Sequence, residues 1–333
     1  MKKVIRFISI ILCLSLLLCS CSASKVNTDK AAMQLSNANA DETTKRIYSY
    51  ICDTYENGII SAQQESTWMG SSEYEMDYIY NTTGKLPAMR GLDFMNDDFD
   101  GVVQRSIDWW NKGGLVTICW HCGSDFADSY DECIGDEIEN WDLILTDGTP
   151  ENQAFMESMD KAGNALLELQ KAGVTVLWRP FHEFDGEWFW WGKGGADHFK
   201  KLWVMMYNHF TDDLGLNNLI WVLGYSHNGK NVDKWYPGDE YCDIVGADSY
   251  EVSENGAEDR LFGKVKNVTQ GRKPLCFHEC GLIPTEEQLK ETPWCSFMAW
   301  HTEYLIDANS KEQLSEIYNS DYVITLDELP SFV

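Results

Sequence analysis

From residue 45 onward the chain alternates between two spacings of apolar residues. Short runs that are apolar on both faces recur at 59–65, 87–94, 114–121, 174–178, 218–224, 243–250, 273–281 and 295–301. Such runs suit strands of a parallel sheet that is covered on both sides. Between them lie stretches with apolar residues three or four positions apart: 45–56 with Ile47, Tyr50, Ile51 and Tyr55, then 72–83, 100–112, 151–172 with Phe155, Met159, Leu166 and Leu169, 198–214 and 311–319. This is helical spacing, and Gly58, Gly84 and Gly173 stand where three of these helices should stop. Eight strand-like runs with helices between them, in one domain of roughly 290 residues, predict a single (β/α)8 barrel over 45–333.

Polar residues gather at the carboxyl ends of the runs. The fourth run passes directly into Arg179, Pro180, His182 and Glu183, and then into Gly186, Trp188, Trp190 and Trp191. Pro180 has no amide hydrogen for a central ladder, so the strand should end about there. The third run ends in Trp120 and His121, the sixth in Asp248 and Tyr250, the seventh in His278 and Glu279, and the eighth in Trp300 and His301. Parallel α/β folds keep their active sites at this end of the sheet. Two carboxylates on two strand ends, Glu183 and Glu279, are what glycoside hydrolysis requires: a proton donor for the leaving oxygen, and a nucleophile or base. Tryptophan faces suit the apolar C–H faces of sugar rings.

The amino-terminal residues follow another pattern. Lys2, Lys3 and Arg6 precede an apolar run from Phe7 to Leu18, and small residues follow, which is an export signal over 1–20. The sequence Leu18-Cys19-Ser20-Cys21 resembles a bacterial lipobox, making Cys21 the expected lipidated first residue of the mature chain; ordinary cleavage nearby is the alternative. A single lipid-modified residue tethers a protein to a membrane without a span. Residues 22–44 are small and polar and read as a linker. An exported bacterial lipoprotein at the cell surface or in the periplasm is therefore expected.

Charge and cysteines narrow the partners. The formal net charge is −27, which repels nucleic acid and anionic lipid and leaves a neutral or cationic ligand. Cys119, Cys276 and Cys295 lie in or beside apolar runs, where a thiol acts as a small core residue. Cys119 and Cys122 have the spacing of a redox or zinc pair, but no second pair follows. The long acidic connection 122–150 reads as a loop over the site.

Taken together, Trp178-Arg-Pro-Phe-His-Glu183 with Trp188-Phe-Trp-Trp-Gly192, Gln63-Gln64-Glu65, Gly91-Leu-Asp93, Trp120-His121, Gly246-Ala-Asp-Ser-Tyr250 and Glu279-Cys-Gly281 resemble, in order, glycoside hydrolase family 26, the β-mannanases and their relatives. The resemblance implies Glu183 as general acid/base and Glu279 as nucleophile, with carboxyl groups about 5–5.5 Å apart. Glu183 should then have a raised pKa, while Glu279 is held ionised by donors such as Arg179 or Tyr250. His121 and His182 would orient Glu183 or bind the sugar, Trp188 and Trp300 would wall the reacting ring, and Asp248 would support Tyr250 or the carboxylates. Trp190 and Trp191 read as packing, and Asp185, Glu187 and the acids of 122–150 as solvated surface. His301 stands where an Arg contacting the next sugar is common in the family.

The implied substrate is β-1,4-mannan, glucomannan or galactomannan, cleaved within the chain by double displacement. A β-1,3-xylanase or mixed-linkage β-glucanase shares the same residues, and a non-catalytic glycan-binding lipoprotein is the alternative of another class. No appended region of the size of a carbohydrate-binding module is seen, so soluble chains are the expected substrates, acted on by a monomer. A metal centre would want a His-x-His or a helical His-Glu-x-x-His; neither occurs, so no metal or cofactor is expected.

Overall fold

Eight parallel strands close into a barrel: β1 (Ile59–Gln64), β2 (Met89–Asp93), β3 (Leu115–Trp120), β4 (Val176–Pro180), β5 (Leu219–Tyr225), β6 (Ile244–Ser249), β7 (Leu275–Cys280) and β8 (Ser296–Ala299). Each pairs with the next, and β1 pairs with both β2 and β8 to complete the ring. The computed structural model describes residues 33–332 except 125, 127–129, 135–136, 228–230 and 251–256. The expected signal segment, Cys21 and the first part of the expected linker lie outside the described residues.

All residues of these eight strands are buried, which explains why the runs are apolar without alternation. Pro180 is the last residue of β4 and stands opposite Trp120 of β3, so the strand ends where the missing amide requires. Outside the barrel run α1 (Glu42–Thr54), α2 (Tyr74–Thr83), α3 (Phe99–Asn111) and the helices Pro150–Lys171, Ala196–Asn208 and Lys311–Tyr318. Their spacing buries one stripe each, as Ile47, Tyr48 and Ile51 do for α1.

The structure departs from the pattern in several places. Residues 33–44 are not a free linker. The Ser36 amide donates to Asp243 Oδ1 at 2.5 Å, Asn37 Nδ2 to the Leu216 carbonyl at 3.1 Å, and the Asp41 amide to the Asn217 carbonyl at 2.8 Å. These contacts fix the segment to the residues that precede β5 and β6, at the end of the barrel opposite the carboxyl ends. Asp41 also caps α1, accepting from the Thr44 amide at 2.7 Å, so the helix starts before residue 45. A further helix, Asp259–Thr269, buries Leu261, Phe262 and Val265, and a short parallel strand, β9 (Val323–Ile324), adds to the start of β1. The stretch expected as one helix over 198–214 ends in a π-helical turn, His209–Asp213.

The connection 122–150 contributes packing as well as surface. Trp141, on the short helix Trp141–Ile144, lies 5.8 Å from Trp190, and Ile134 bridges Phe189. Its acids Glu137, Glu139, Asp142 and Asp147 are exposed. Cys119, Cys276 and Cys295 are buried thiols in the core, as are Cys242 and Cys280.

Candidate active site

The turn after β4 is held in a conformation that non-glycine residues avoid. Phe181 and Glu183 have φ of +49° and +54°, in the left-handed region where side chains clash with the backbone. Several contacts over-determine the turn: the Glu183 amide donates to the Gly224 carbonyl at 2.8 Å, the Gly186 amide to the Glu183 carbonyl at 3.0 Å, and Trp191 Nε1 to the His182 carbonyl at 2.8 Å. Gly192 allows the close approach, because a Cβ there would meet the Phe184 carbonyl oxygen at 2.2 Å. Trp190 and Trp191 are wholly buried beneath this turn and belong to its packing.

Glu183 is thereby set among the strand ends with 8% of its surface exposed. Its Oε2 accepts from Trp188 Nε1 at 2.7 Å. Burial raises its pKa above the ordinary carboxyl value and the charge of Glu279 raises it further, while hydrogen bonds from Asp248 and Trp188 work in the opposite direction.

Glu279, on β7, is built differently. Arg179 Nη1 donates to Oε1 at 2.5 Å, the Tyr250 hydroxyl donates to Oε2, and His182 Nε2 stands 3.4 Å from Oε1. Both oxygens thus accept hydrogen bonds, one of them charge-assisted, as an ionised carboxylate does. A register irregularity between Ala247 and Asp248 brings Asp248 of β6 directly opposite Glu279. Oxygens of Glu183, Asp248 and Glu279 lie within 4.8 Å of one another. Burial, and then the neighbouring charge of Glu183, raise the pKa of Asp248 well above its ordinary value. Crowded carboxyls of this kind do not all ionise together.

The histidines divide by their partners. His121 faces Asp93: its Nδ1 donates to Asp93 Oδ2 at 2.5 Å and its amide to Oδ1 at 3.1 Å. Burial would lower its pKa, but Asp93 outweighs burial and raises it. His182 packs edge-on against His121, with ring centroids 4.7 Å apart. Burial, and then the Arg179 charge, keep both His182 and His278 well below the ordinary histidine range. A neutral His278 donates from Nε2 to the Tyr225 carbonyl and accepts from Arg179 at Nδ1, each at 3.2 Å. Gly224 makes room for it, since a Cβ there would lie 2.6 Å from Nε2.

The structure therefore brings together Glu183, Glu279, Arg179, His182, Trp188, Asp248 and Tyr250, with Trp300 6.5 Å from Tyr250 and His301 next to it. Of the two alternatives for Asp248, the structure shows the one with the carboxylates: Asp248 meets the two glutamates, while Tyr250 is engaged by Glu279. Two placements differ from the sequence reading. His182 faces Glu279 instead of Glu183. Asp185 is not solvated surface: it is buried, accepts from the Ser226 amide at 2.8 Å, and has a pKa pushed up to about 6 by burial. Glu187 is exposed as expected. Asp93 and His278 were not singled out for a role from the sequence, although each sits at a strand end beside a residue that was.

Two groups bring three potential metal-ligand atoms within 4.8 Å: Asp93, Cys119 and His121, and the three carboxylates. In both, the donor atoms already serve the protein, His121 Nδ1 on Asp93 and both Glu279 oxygens on Arg179 and Tyr250.

Known proteins resemble this chain in sequence and in fold. A mannan endo-1,4-beta-mannosidase of Thermothelomyces thermophilus is 34% identical over 320 residues, covering 89% of this chain and 63% of that protein. A solved ruminal GH26 endo-beta-1,4-mannanase superposes with a TM-score of 0.84 at 31% identity, covering 90% of this chain and 71% of that one. A beta-mannanase from a symbiotic protist of the termite Reticulitermes speratus, complexed with gluco-manno-oligosaccharide, gives 0.83 at 30% identity, covering 90% of this chain and 98% of that one. The chain spans between about half and two thirds of the length of the first curated relatives it matches. The description "Glycosyl hydrolase family 26" matches residues 36–328, and with these likenesses it shows that the chain belongs to glycosyl hydrolase family 26.

Proposed function

We propose that this chain is a retaining endo-β-1,4-mannanase acting on mannan, glucomannan or galactomannan. The observation that carries the reading is the contrast between Glu183 and Glu279 within one site. Their oxygens are within 4.8 Å, nearer the spacing of about 5–5.5 Å used for double displacement than the 6.5–9.5 Å that leaves room for a water. Glu183, its pKa raised, gives its proton to the leaving oxygen, while Glu279 attacks the anomeric carbon and forms a glycosyl-enzyme. Glu183 then takes a proton from water as that water displaces Glu279. Arg179, Tyr250 and His182 hold Glu279 for attack, and Trp188 and Trp300 wall the reacting sugar. The names of the relatives, and the oligosaccharide bound to the termite-protist enzyme, support mannan-type substrates.

The test is to incubate the domain, beside Glu279→Ala, with galactomannan, glucomannan, mixed-linkage glucan and β-1,3-xylan. Reducing ends and the anomeric proton of the first product are followed. Release from mannans with the β-anomer first, absent in Glu279→Ala, supports the reading. Cleavage of only another glycan moves the substrate, and an α-anomer first removes the mechanism. The signal-like segment and Cys21 support export as a lipoprotein, which labelling with radioactive palmitate in wild type and Cys21→Ser would test.

A further inference from the structure

Gly224, Tyr225, Ser226 and His227, at and just after the carboxyl end of β5, hold the site through their backbone. The Gly224 carbonyl accepts from the Glu183 amide at 2.8 Å, and the Tyr225 carbonyl accepts from His278 Nε2 at 3.2 Å. The Ser226 amide donates to Asp185 Oδ1 at 2.8 Å, and the His227 amide donates to Asp248 Oδ1 at 3.3 Å. Four consecutive residues thus touch the turn after β4, then β7 and β6.

The strand ladder does not reach this far. β4 and β5 pair from Val176 with Leu219 to Trp178 with Trp221, and Pro180 ends β4 without an amide hydrogen to offer. Beyond it the turn that carries Glu183 is joined to the end of β5 at two points, the Glu183 amide on Gly224 and the Asp185 side chain on the Ser226 amide. Such a clasp matters here, because Glu183 at φ +54° is in a conformation that persists only where its surroundings impose it. Asp185 lies two residues from Glu183 and supplies the side-chain half of the clasp. Burial disfavours its charged form, so this carboxyl does not stand there for stability.

We propose that Asp185 is a positioning residue for the general acid: by holding the Ser226 amide it fixes the turn that aims the Glu183 carboxyl at the leaving oxygen, and through the next amide, that of His227, it keeps Asp248 against Glu183. Asp185 itself touches no substrate in this scheme. The inference rests on the reading of the site as a retaining mannanase with Glu183 as proton donor. Its signature is a loss confined to the step that needs a proton, since a residue that served only stability would affect every substrate alike.

The experiment measures kcat/KM on galactomannan for wild type, Asp185→Ala and Asp185→Asn, and the burst rate with dinitrophenyl β-mannobioside, whose leaving group departs without a proton. Asp185→Ala is expected to lose about 10²-fold on galactomannan, the cost of misplacing a catalytic group by about 1 Å, with the burst rate kept near that of wild type. Asp185→Asn, whose amide oxygen still accepts from Ser226, is expected to retain most of the galactomannan rate. Asp185→Ser, which ends one bond short of the Ser226 amide, gives the same comparison if the alanine chain does not fold. Equal losses on the two substrates, or a galactomannan rate unmoved in Asp185→Ala, overturn the inference alone. An Asp185→Asn as slow as Asp185→Ala overturns the hydrogen bond as the means of positioning. A wild type inactive on every β-mannan overturns the reading of the site, and this inference with it.

Discussion

Arg179 Nη1 lies 2.5 Å from Glu279 Oε1 and 3.2 Å from His278 Nδ1, so one fully buried guanidinium joins β4 to β7 below the site. Removing it would leave a buried carboxylate without its counter-charge, which costs about 3–5 kcal/mol. Arg179→Ala is expected to lose that much in urea unfolding; a change below ~1 kcal/mol would count against the pair as a structural element.

Glu183→Gln keeps shape but removes the transferable proton. Its rate on mannan should fall about 10²–10⁴-fold, the range for general acid catalysis. With a dinitrophenyl glycoside, whose leaving group needs no proton, the glycosylation step should be nearly spared. Steady-state and burst kinetics on both substrates decide the matter; equal losses on the two would sink the assignment.

The hydrogen bond from Trp188 Nε1 to Glu183 Oε2 favours the ionised carboxylate and so lowers its pKa. Trp188→Phe takes away that donor and lets the pKa rise. Because the proton donor is active only while protonated, the alkaline limb of kcat/KM should move to higher pH. A pH profile whose alkaline limb stays put, or moves to lower pH, contradicts this.

Asp185 has a folded-state pKa of about 6 against an ordinary value of 3.8. A carboxyl whose pKa is raised by folding contributes stability that is fully present below its unfolded value and is lost as pH rises through the folded one. Over pH 4–7 this group should therefore cost the wild type about 3 kcal/mol. Asp185→Asn, which can still accept from the Ser226 amide, should flatten that part of the stability curve. Urea unfolding at several pH values would show an unchanged slope if the aspartate were not responsible.

The barrel was legible because every strand residue is buried, so the covered sheet wrote itself as eight continuous apolar runs. The positions of Glu183 and Glu279 were legible for a related reason, since the strands of such a barrel all deliver their carboxyl ends to one side. The helix Asp259–Thr269 was harder, its stripe resting on little more than Leu261, Phe262 and Val265. Residues 33–41 were harder still, because a polar segment that gives its hydrogen bonds to the barrel has the composition of one that gives them to water.

Local spacing therefore determined the elements, their order and the end at which chemistry gathers, each of which depends on residues near in sequence. Tertiary structure decided which polar groups meet. The closeness of Asp248 to the glutamates depends on a register irregularity, the burial of Asp185 on the chain around Ser226, and the tie between Ser66 after β1 and Thr302 after β8 on Glu75, which reaches both from a helix. Burial and hydrogen bonding set the charge state of each such group, and both come from segments far away in sequence.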